Sequence, residues 1–263
     1  MTDLKGRVAL ITGASSGIGA ATARLLARRG CSVAINFSKS RDAAEAVRME
    51  CDKLGGQAFL VQGDVADDAD CRRIVDEAVV HFGHLNYLVN NAGTTKFVPH
   101  KDLAGLSAED FQRVYGVNTI GPFQMVRAAE PFLRATRGAV VNVSSIAGVY
   151  ATGSSLAYVA SKAALNGLTI GLARVLGPEV RINAVCPGFV EGEWLKQGMG
   201  EAAYTALQQG WRANAPLQTT NTPDDIAESI AFFLTAAPNI TGETLLIDSG
   251  MRLAQPRVQP QRS

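Results

Sequence analysis

The 263-residue sequence has few cysteines and no uninterrupted apolar run that could cross a membrane. Cys31, Cys51, Cys71 and Cys186 lie far apart without a C-x-x-C pair, which fits neither a zinc site nor a small disulfide framework. The apolar stretch after Arg7 has only four or five residues, too few for the core of a signal peptide. We therefore expect a cytoplasmic protein without a metal and without membrane contact.

An excess of either charge is also missing, since 25 Lys and Arg residues stand against 24 Asp and Glu residues. Binding to nucleic acids or anionic membranes requires a basic surplus, so we expect no polyanionic partner. Hydrophobic residues make up 47% of the chain and charged residues 19%, which excludes the disordered and collagen-like classes. The composition predicts a globular protein with a large core.

Short runs rich in Val, Ile and Ala alternate with segments of helical periodicity, which is typical of a parallel sheet covered on both faces. The sequence predicts strands over residues 8–11, 32–37, 58–61, 85–89, 138–143, 180–185 and 244–247. It predicts helices over about 18–29, 43–54, 67–82 and 155–176, and a late helix that begins after Thr222. We therefore predict one α/β domain over residues 1–253, a Rossmann-type doubly wound parallel sheet with helices on both faces.

Two segments interrupt this alternation. Residues 191–222 carry large apolar side chains among glycines and polar residues, which predicts a mobile flap over the substrate site rather than a core layer. Residues 254–263 are polar and contain two prolines, which predicts a frayed tail.

The glycines Gly13, Gly17 and Gly19 lie between the first strand and the first helix. There they let the chain turn tightly and a pyrophosphate approach the helix N-terminus. The same segment also matches the G-x-S-x-G elbow of hydrolases, a fold that places strands before the elbow and a histidine after it. Only twelve residues precede Gly13, and the three histidines all lie before mid-chain, so we favour a dinucleotide site over a hydrolase.

A second group of polar residues lies near the middle of the chain. Tyr158 and Lys162 are four residues apart at the start of a predicted helix and therefore share one face. The fifth predicted strand ends at Ser144 and Ser145, at the carboxyl edge of the sheet, where open α/β folds bind ligands.

Eight motifs, in order along the chain, resemble those of the short-chain dehydrogenase/reductase family. They are Thr12-Gly13-Ala14-Ser15-Ser16-Gly17-Ile18-Gly19, Gly63-Asp64-Val65, Asn90-Asn91-Ala92-Gly93, Val117-Asn118, Asn142-Val143-Ser144-Ser145, Tyr158-Val159-Ala160-Ser161-Lys162, Cys186-Pro187-Gly188 and Ile240-Thr241-Gly242-Glu243-Thr244. The resemblance runs from about Lys5 to Met251. It implies hydride transfer between a nicotinamide and a carbonyl or secondary alcohol, and points to the branch similar to 3-oxoacyl-[acyl-carrier-protein] reductases.

The resemblance implies four catalytic residues, which are Asn118, Ser145, Tyr158 and Lys162. A phenol with a reference pKa of about 10 needs a nearby cation to favour the phenolate, and Lys162 lies one turn away. By resemblance, Lys162 also holds the nicotinamide ribose, Ser145 binds the substrate oxygen, and Asn118 anchors a proton-relaying water. Ser144 is taken as the non-catalytic neighbour of Ser145.

The resemblance also implies a set of cofactor-binding residues, with Asp64 near the adenine, Asn90 at the adenosine ribose and Val190 near the carboxamide. The set is Gly13, Ser15, Ser16, Gly17, Ile18, Gly19, Phe37, Ser38, Lys39, Arg41, Asp64, Val65, Asn90, Asn91, Ala92, Gly93, Tyr158, Lys162, Pro187, Gly188 and Val190. The chain departs from the family at Gly192, where a Thr is common, and Glu191 and Glu193 predict an acidic mouth.

The end of the second strand bears on the choice of cofactor. NAD enzymes usually place Asp or Glu there for the ribose 2′-OH, whereas this chain has Phe37, followed by Ser38, Lys39 and Arg41. These side chains would suit a 2′-phosphate, so we predict NADP as the preferred cofactor and NAD as a possible one.

The substrate is open at this stage. Reductases that use acyl carrier protein are expected to carry basic residues beside the mouth, but the turn Gly177-Pro178-Glu179 has none, which leaves Arg134 and Arg137. Small ketones, sugars and steroids are alternatives, as are an NAD-dependent dehydrogenase of a small alcohol and a non-enzymatic dinucleotide sensor. The resemblance and the small residues of the Tyr158 helix predict a homo-oligomer, specifically a tetramer.

Overall fold

The computed structural model describes residues 3–254, so the predicted frayed tail lies outside the described residues except for Ala254. Seven parallel strands form one sheet in the order β3-β2-β1-β4-β5-β6-β7. The strands are β1 (Val8–Ile11), β2 (Ser32–Phe37), β3 (Ala58–Gln62), β4 (Tyr87–Asn90), β5 (Ala139–Val143), β6 (Arg181–Pro187) and β7 (Thr244–Ile247). This arrangement confirms the predicted doubly wound α/β fold.

Helices cover both faces of the sheet. They are α1 (Gly17–Arg28), α2 (Arg41–Lys53), α3 (Asp68–Phe82), α4 (Ala108–Tyr115), α5 (Gly121–Thr136), α6 (Ala147–Tyr150), α7 (Leu156–Leu176), α8 (Glu193–Met199), α9 (Glu201–Asn214) and α10 (Pro223–Thr235). Helices α1, α2 and α10 pack on one face, and α3, α5 and α7 pack on the other.

The alternation of side chains along the central strands divides the core into two layers. Ala9 and Ile11 of β1 face the cluster that includes α1 and α10, whereas Val8 and Leu10 face the cluster that includes α3 and α5. Because both faces are covered, β1, β4 and β5 are buried along their whole length, which explains why they appear in the sequence as continuous apolar runs.

The chain order of the strands reverses beside β1, which pairs with β2 on one side and with β4 on the other. In open α/β sheets, ligands bind in the crevice beyond the carboxyl ends of the strands at such a reversal. The glycine-rich turn after β1 and the Asn91-Ala92-Gly93 segment after β4 both lie at this point of the sheet.

Two helical regions were not predicted. The segment between β4 and β5 contains α4, a π-helical segment (Gly116–Ile120) and α5. The segment predicted as a mobile flap contains α8 and α9, and Tyr204 and Trp211 of α9 are buried with Phe189 in a small apolar cluster. The flap therefore has regular structure and a core of its own, contrary to the expectation that it would form no core layer.

Helix α7 is, among the described residues, the one helix that is long and apolar enough to cross a membrane by length and composition. Core helices of globular proteins have the same property, and α7 packs against β6 and α4 with Leu165 and Ala173 buried.

Candidate active site

A cavity of about 1490 Å³ opens at the carboxyl edge of the sheet. Cavities for single small ligands are usually about 300–1,000 Å³, so this one is large enough for two molecules. One end is lined by Gly13, Ser16, Gly17 and Ile18 of the glycine-rich turn and by Ser38 and Lys39, and the other by Phe97 and Trp194.

The glycine turn after β1 needs residues without side chains. Gly13 and Gly17 have φ angles of 60° and 53°, in the left-handed region that glycine adopts without strain. A Cβ at Gly13 would lie 2.8 Å from the Cα atom of Ala92, and one at Gly19 would lie 2.5 Å from Nδ2 of Asn91. The turn is therefore shaped by close packing against the segment after β4.

The N-terminus of α1 faces this cavity. Ser16, at the N-cap, forms no side-chain cap hydrogen bond, so the first N–H groups of α1 have no intrahelical or capping partner. Such groups bind anions, and a dinucleotide pyrophosphate is an anion of suitable size. The turn thus fits a nicotinamide dinucleotide on grounds of both shape and charge.

Thr12 and Asn91 fix the turn to β4. The Thr12 hydroxyl accepts hydrogen bonds from the backbone N–H groups of Asn91 and Ala92, both at 3.0 Å. The amide Nδ2 of Asn91 donates to the carbonyls of Thr12 and Gly13, both at 2.9 Å. The walls on either side of the crevice are therefore held together before any ligand binds.

Tyr158 and Lys162 lie in the first turns of α7. The Ser155 hydroxyl caps this helix by accepting from the Tyr158 backbone N–H at 3.3 Å. Lys162 Nζ donates to the Val143 carbonyl at 2.8 Å and lies 5.7 Å from the centre of the Tyr158 ring. The buried Lys162 is therefore anchored to the end of β5, with its charge beside the phenol.

Ser145 rather than Ser144 contacts the phenol. The Ser145 hydroxyl accepts from the Ala147 backbone N–H at 3.1 Å and shares a hydrogen bond with Tyr158. The Ser144 hydroxyl donates to the Lys162 carbonyl at 3.2 Å and is buried. The two serines therefore have different partners, and only Ser145 contacts the phenol.

Burial shifts the pKa values of both titratable residues. It raises the pKa of Tyr158 to about 12, against the opposing effect of the Ser145 hydrogen bond. It lowers the pKa of Lys162 to about 8. Near neutral pH the phenol is therefore protonated and able to give a proton, while the Lys162 ammonium can stabilise the phenolate that results.

Asn118 lies in the π-helical segment and is fully buried. Its Oδ1 accepts from the Thr94 N–H at 2.8 Å, and its Nδ2 donates to the Thr94 carbonyl at 2.9 Å and to the Ser161 hydroxyl at 3.0 Å. Asn118 therefore joins the segment after β4 to α7, next to Lys162. Single π-helical turns of this kind are frequent at functional sites.

Most of the residues predicted to bind the cofactor line the cavity. They are Gly13, Ser16, Gly17, Ile18, Ser38, Lys39, Asp64, Val65, Asn91, Ala92, Gly93, Tyr158, Lys162, Pro187, Gly188 and Val190. Five others, Ser15, Gly19, Phe37, Arg41 and Asn90, are not among the lining residues.

The side chains of three of those five point elsewhere. Phe37 is 1% exposed and belongs to the core, with the Arg41 guanidinium 5.4 Å from its ring centre. Asn90 is buried, and its Nδ2 donates to Oδ1 of Asn142 at 2.9 Å. The expectation that Asn90 and Phe37 face the adenosine half is therefore not met by their side chains.

Asn36 is a residue of the site that the sequence analysis missed. Its Oδ1 accepts from the Gly13 N–H at 3.3 Å, and its Nδ2 donates to the carbonyls of Val61 and Gly63 at 3.2 and 3.1 Å. It also lines the cavity. A polar residue inside the apolar strand 33–37 was the signal that could have identified it.

The hydrolase alternative lacks its partner residues. Ser15 is not a lining residue, and within residues 3–254 no histidine lines the cavity. His81 stacks on Phe59 at 4.1 Å, and His84 contacts the Gly6 carbonyl at 3.1 Å. Among the same residues, no group of three or more His, Cys, Asp or Glu could hold a metal ion.

The predicted acidic mouth is largely neutralised at Glu191. Its Oε1 accepts from the Thr220 hydroxyl at 2.5 Å, from Arg212 at 2.7 Å and from Gln208 at 3.0 Å. These contacts, the Thr220 hydrogen bond foremost, lower the pKa of Glu191. The charge of Glu191 therefore holds the flap in place instead of facing the substrate. Glu193, in contrast, is 74% exposed at the mouth.

Comparisons with known proteins agree with this geometry. A family profile described as enoyl-(acyl carrier protein) reductase matches residues 13–252. The provisionally named ketoacyl reductase 2 of the granaticin polyketide synthase of Streptomyces violaceoruber is 41% identical over 247 residues, which cover 94% of this chain and 96% of that protein. The 3-oxoacyl-[acyl-carrier-protein] reductase of Staphylococcus aureus is 36% identical over 92% of this chain and 97% of that protein.

A solved structure of NAD⁺-bound xylitol dehydrogenase has a TM-score of 0.85 and 30% identity, covering 95% of this chain and all of that one. The chain belongs to the short-chain dehydrogenase/reductase family and is an oxidoreductase that acts on CH–OH groups.

Proposed function

We propose that the protein reduces a ketone to a secondary alcohol with NADP(H), through Tyr158, Lys162, Ser145 and Asn118. The observation that carries this proposal is the meeting of Tyr158, Ser145 and Lys162 in the cavity that also contains the glycine turn. A bound nicotinamide would supply the hydride to the carbonyl carbon.

Side chains of the protein supply the proton for the new alcohol and stabilise the phenolate that is left. The hydroxyls of Ser145 and Tyr158 bind the carbonyl oxygen, and the Tyr158 proton moves to that oxygen as it becomes an alcohol. Because burial keeps the Tyr158 pKa at about 12, the phenol stays protonated until it reacts. The Lys162 ammonium then stabilises the phenolate, and Asn118 keeps the neighbouring backbone in place for proton return.

The exposed side chains at the end of β2 support NADP over NAD. Ser38 and Lys39 line the cavity, and a lysine favours a 2′-phosphate over a free 2′-OH. The similarity to an NAD⁺-bound xylitol dehydrogenase supports a second candidate, an NAD-dependent dehydrogenase of a sugar or other small alcohol.

The contacts of Arg134, near the C-terminal end of α7, favour a free small-molecule ketone over a ketone attached to acyl carrier protein. Arg134, one of the two bases considered for carrier docking, forms ion pairs with Glu179 at 2.5 Å and Glu130 at 2.9 Å. It also donates to the carbonyls of Val175 and Leu176. Arg134 is therefore occupied by groups of its own chain.

The cysteines support a cytoplasmic location. All four cysteines are free and buried, as suits a reducing cytoplasm.

The exposed apolar side chains support a homo-oligomer. Helices α5 and α7 expose apolar side chains that include Phe123 and Ile170, and the α10–β7 edge exposes Phe232 and Leu245. Two such surfaces fit a homotetramer.

The test is NADPH oxidation with a panel of ketones, for the parent and for Tyr158→Phe. We expect Tyr158→Phe to lower kcat by roughly 10²–10⁴-fold, because general acid catalysis is worth that much, with NADP(H) affinity within a few-fold of the parent. Turnover close to that of the parent, in a variant that still binds cofactor, would remove Tyr158 from the proposed role. No turnover of any ketone by the parent would contradict the reductase assignment.

A further inference from the structure

Three aromatic rings lie at the substrate end of the cavity. The indole of Trp194 on α8 is 6.1 Å from the Tyr158 ring and 5.6 Å from the Phe97 ring, between centroids, with interplanar angles of 45° and 57°. Both separations lie within the range in which aromatic rings attract one another. Trp194 therefore lies between the phenol of Tyr158 and the ring of Phe97.

Phe97 is held rigidly on its side of the cavity. The neighbouring Val98 N–H donates to the Ser154 carbonyl at 2.8 Å, and the Thr95 hydroxyl lies 2.7 Å from the Ser154 hydroxyl. These bonds tie the Phe97 segment to the loop that leads into α7. The position of Phe97 relative to Tyr158 is thus determined by the backbone.

Helix α8 is fitted against that ring. A Cβ at Gly198 would overlap the Phe97 side chain, so the ring packs directly on the α8 backbone. Trp194 lies one turn earlier on the same helix. The contact at Gly198 therefore sets the distance between Trp194 and Phe97.

Trp194 keeps much of its surface uncovered. It is 49% exposed although it lines the cavity, and Leu207, which lines the same cavity, is also exposed. Of the nearby charged residues, Glu191 pairs with Arg212, Lys196 Nζ lies 5.2 Å from the Tyr204 ring centre, and the exposed Glu193 carboxylate lies 3.9 Å from Lys196 Nζ. The exposed Trp194 indole therefore gives the cavity a flat apolar surface 6.1 Å from the Tyr158 ring, between centroids.

We propose that Trp194 and Phe97 make the enzyme selective for ketones that carry a planar aromatic ring next to the carbonyl. This inference rests on the proposed reductase function and names its substrate class. A flat ring can lie along the Trp194 indole while its carbonyl reaches Tyr158 and Ser145. A saturated ring lacks the aromatic attraction, and a linear chain must also give up rotational freedom.

The test compares three ketones of eight carbons each: acetophenone, cyclohexyl methyl ketone and 2-octanone. Their kcat/KM values with NADPH are measured for the parent, Trp194→Leu and Trp194→Phe. The informative quantity is the ratio of kcat/KM for acetophenone to kcat/KM for cyclohexyl methyl ketone, compared between variants. The two carbonyls differ in intrinsic reactivity, but that difference is the same for every variant and cancels in the comparison. Leu207→Ala is the matched control, since Leu207 is exposed in the same cavity and is not aromatic.

We expect Trp194→Leu to lower that ratio about 5- to 10-fold, the upper range of one aromatic contact, and Trp194→Phe to retain most of it. Leu207→Ala should change all three ketones alike. An unchanged ratio in Trp194→Leu would overturn the inference while the reductase function stands.

A binding experiment covers the case in which the parent reduces none of these ketones. Acetophenone and cyclohexyl methyl ketone are titrated into the protein with NADPH, and affinity is measured by calorimetry for the parent and Trp194→Leu. Tighter binding of acetophenone that is lost in Trp194→Leu supports the aromatic site even if the reductase proposal fails. Equal binding of the two ketones by the parent contradicts it.

Discussion

The side chains at the end of β2 set the charge at one end of the cavity. The last strand residue, Phe37, is buried, and the Arg41 guanidinium lies against its ring and donates to Gln62 at 3.4 Å. Ser38 and Lys39, in contrast, are exposed and line the cavity. An acidic residue introduced at Phe37 would be buried in the core, so Lys39 and Ser38 are the positions for testing the cofactor.

We predict that Lys39→Ala weakens NADP(H) binding about ten-fold or more and leaves NAD(H) binding nearly unchanged. A hydrogen bond to a charged group is worth roughly 1.5–3 kcal/mol, and 1.4 kcal/mol corresponds to a factor of ten. Titration of both cofactors measures the ratio, and added salt should reduce the parent's preference. Lys53→Ala, an exposed lysine at the far end of α2, is the control.

Equal affinity of the parent for the two cofactors would contradict the NADP assignment, as would an unchanged ratio in Lys39→Ala. Ser38→Asp extends the test, because a carboxylate on this exposed position would repel a 2′-phosphate and could accept from a 2′-OH.

At the scale of residues, the sequence predicted which residues share one face of an element better than it predicted where a side chain at the end of a strand points. Tyr158 and Lys162 were placed on one helix face by their separation of four residues, and their helix forms as expected. Whether Asn36 or Phe37 faces the cavity depends on how β2 pairs with its neighbours and on where the strand ends. Asn90 was misplaced for the same reason, because its amide turns to Asn142 on the adjacent strand.

At the scale of elements, the helices that were missed contain residues that obscure helical periodicity. Gly116, Gly121, Pro122 and Pro131 interrupt the pattern between β4 and β5, yet the chain continues there from α4 through the π-helical segment to α5. Pro122, which lacks an N–H, is the second residue of α5 and directly follows the π-helical turn. Helices α8 and α9 form because Phe189, Tyr204 and Trp211 give them an apolar cluster, a tertiary effect that local propensity does not contain.

Glu191 holds α9 to the rest of the molecule. It follows β6, and its carboxylate contacts Gln208 and Arg212 on α9 and Thr220 in the segment before α10. The N–H of Glu191 also donates to the Asn221 carbonyl at 2.9 Å. One side chain thus joins three segments that surround the substrate end of the cavity.

We predict that Glu191→Ala speeds amide hydrogen exchange in residues 193–214 by about ten-fold or more and raises KM for ketones more than it lowers kcat. Loss of bonds to a charged acceptor costs roughly 1.5–3 kcal/mol, and exchange reports such local opening. Glu191→Gln should lie between the parent and Glu191→Ala, since an amide oxygen can still accept from Thr220. Glu193→Ala, at an exposed position with its nearest cation 3.9 Å away, is the control; exchange as fast in it as in Glu191→Ala would refute the role of Glu191.

At the scale of the whole molecule, several of the exposed apolar residues lie on two groups of secondary-structure elements. Phe123 of α5 and Ile170 and Val175 of α7 are exposed on the two helices that cover one face of the sheet. Phe232 of α10 and Leu245 of the edge strand β7 are exposed elsewhere. A closed tetramer with dihedral symmetry needs more than one self-complementary interface, and exposed apolar patches mark interfaces.

We predict that the parent is a tetramer of 27.8 kDa chains and that Ile170→Lys dissociates it into smaller species. Ile170 is 44% exposed and does not line the cavity, so a lysine there is tolerated by the folded chain but would place a charge in the interface core, where charged residues are depleted. Light scattering at micromolar concentration measures the mass, and circular dichroism verifies that the variant is folded. Val80→Lys is the matched control, because Val80 on α3 is 85% exposed and lies on neither apolar surface. A parent that scatters as a monomer would refute the tetramer, and equal masses for the parent and Ile170→Lys would show that the α5–α7 face is not where the copies meet.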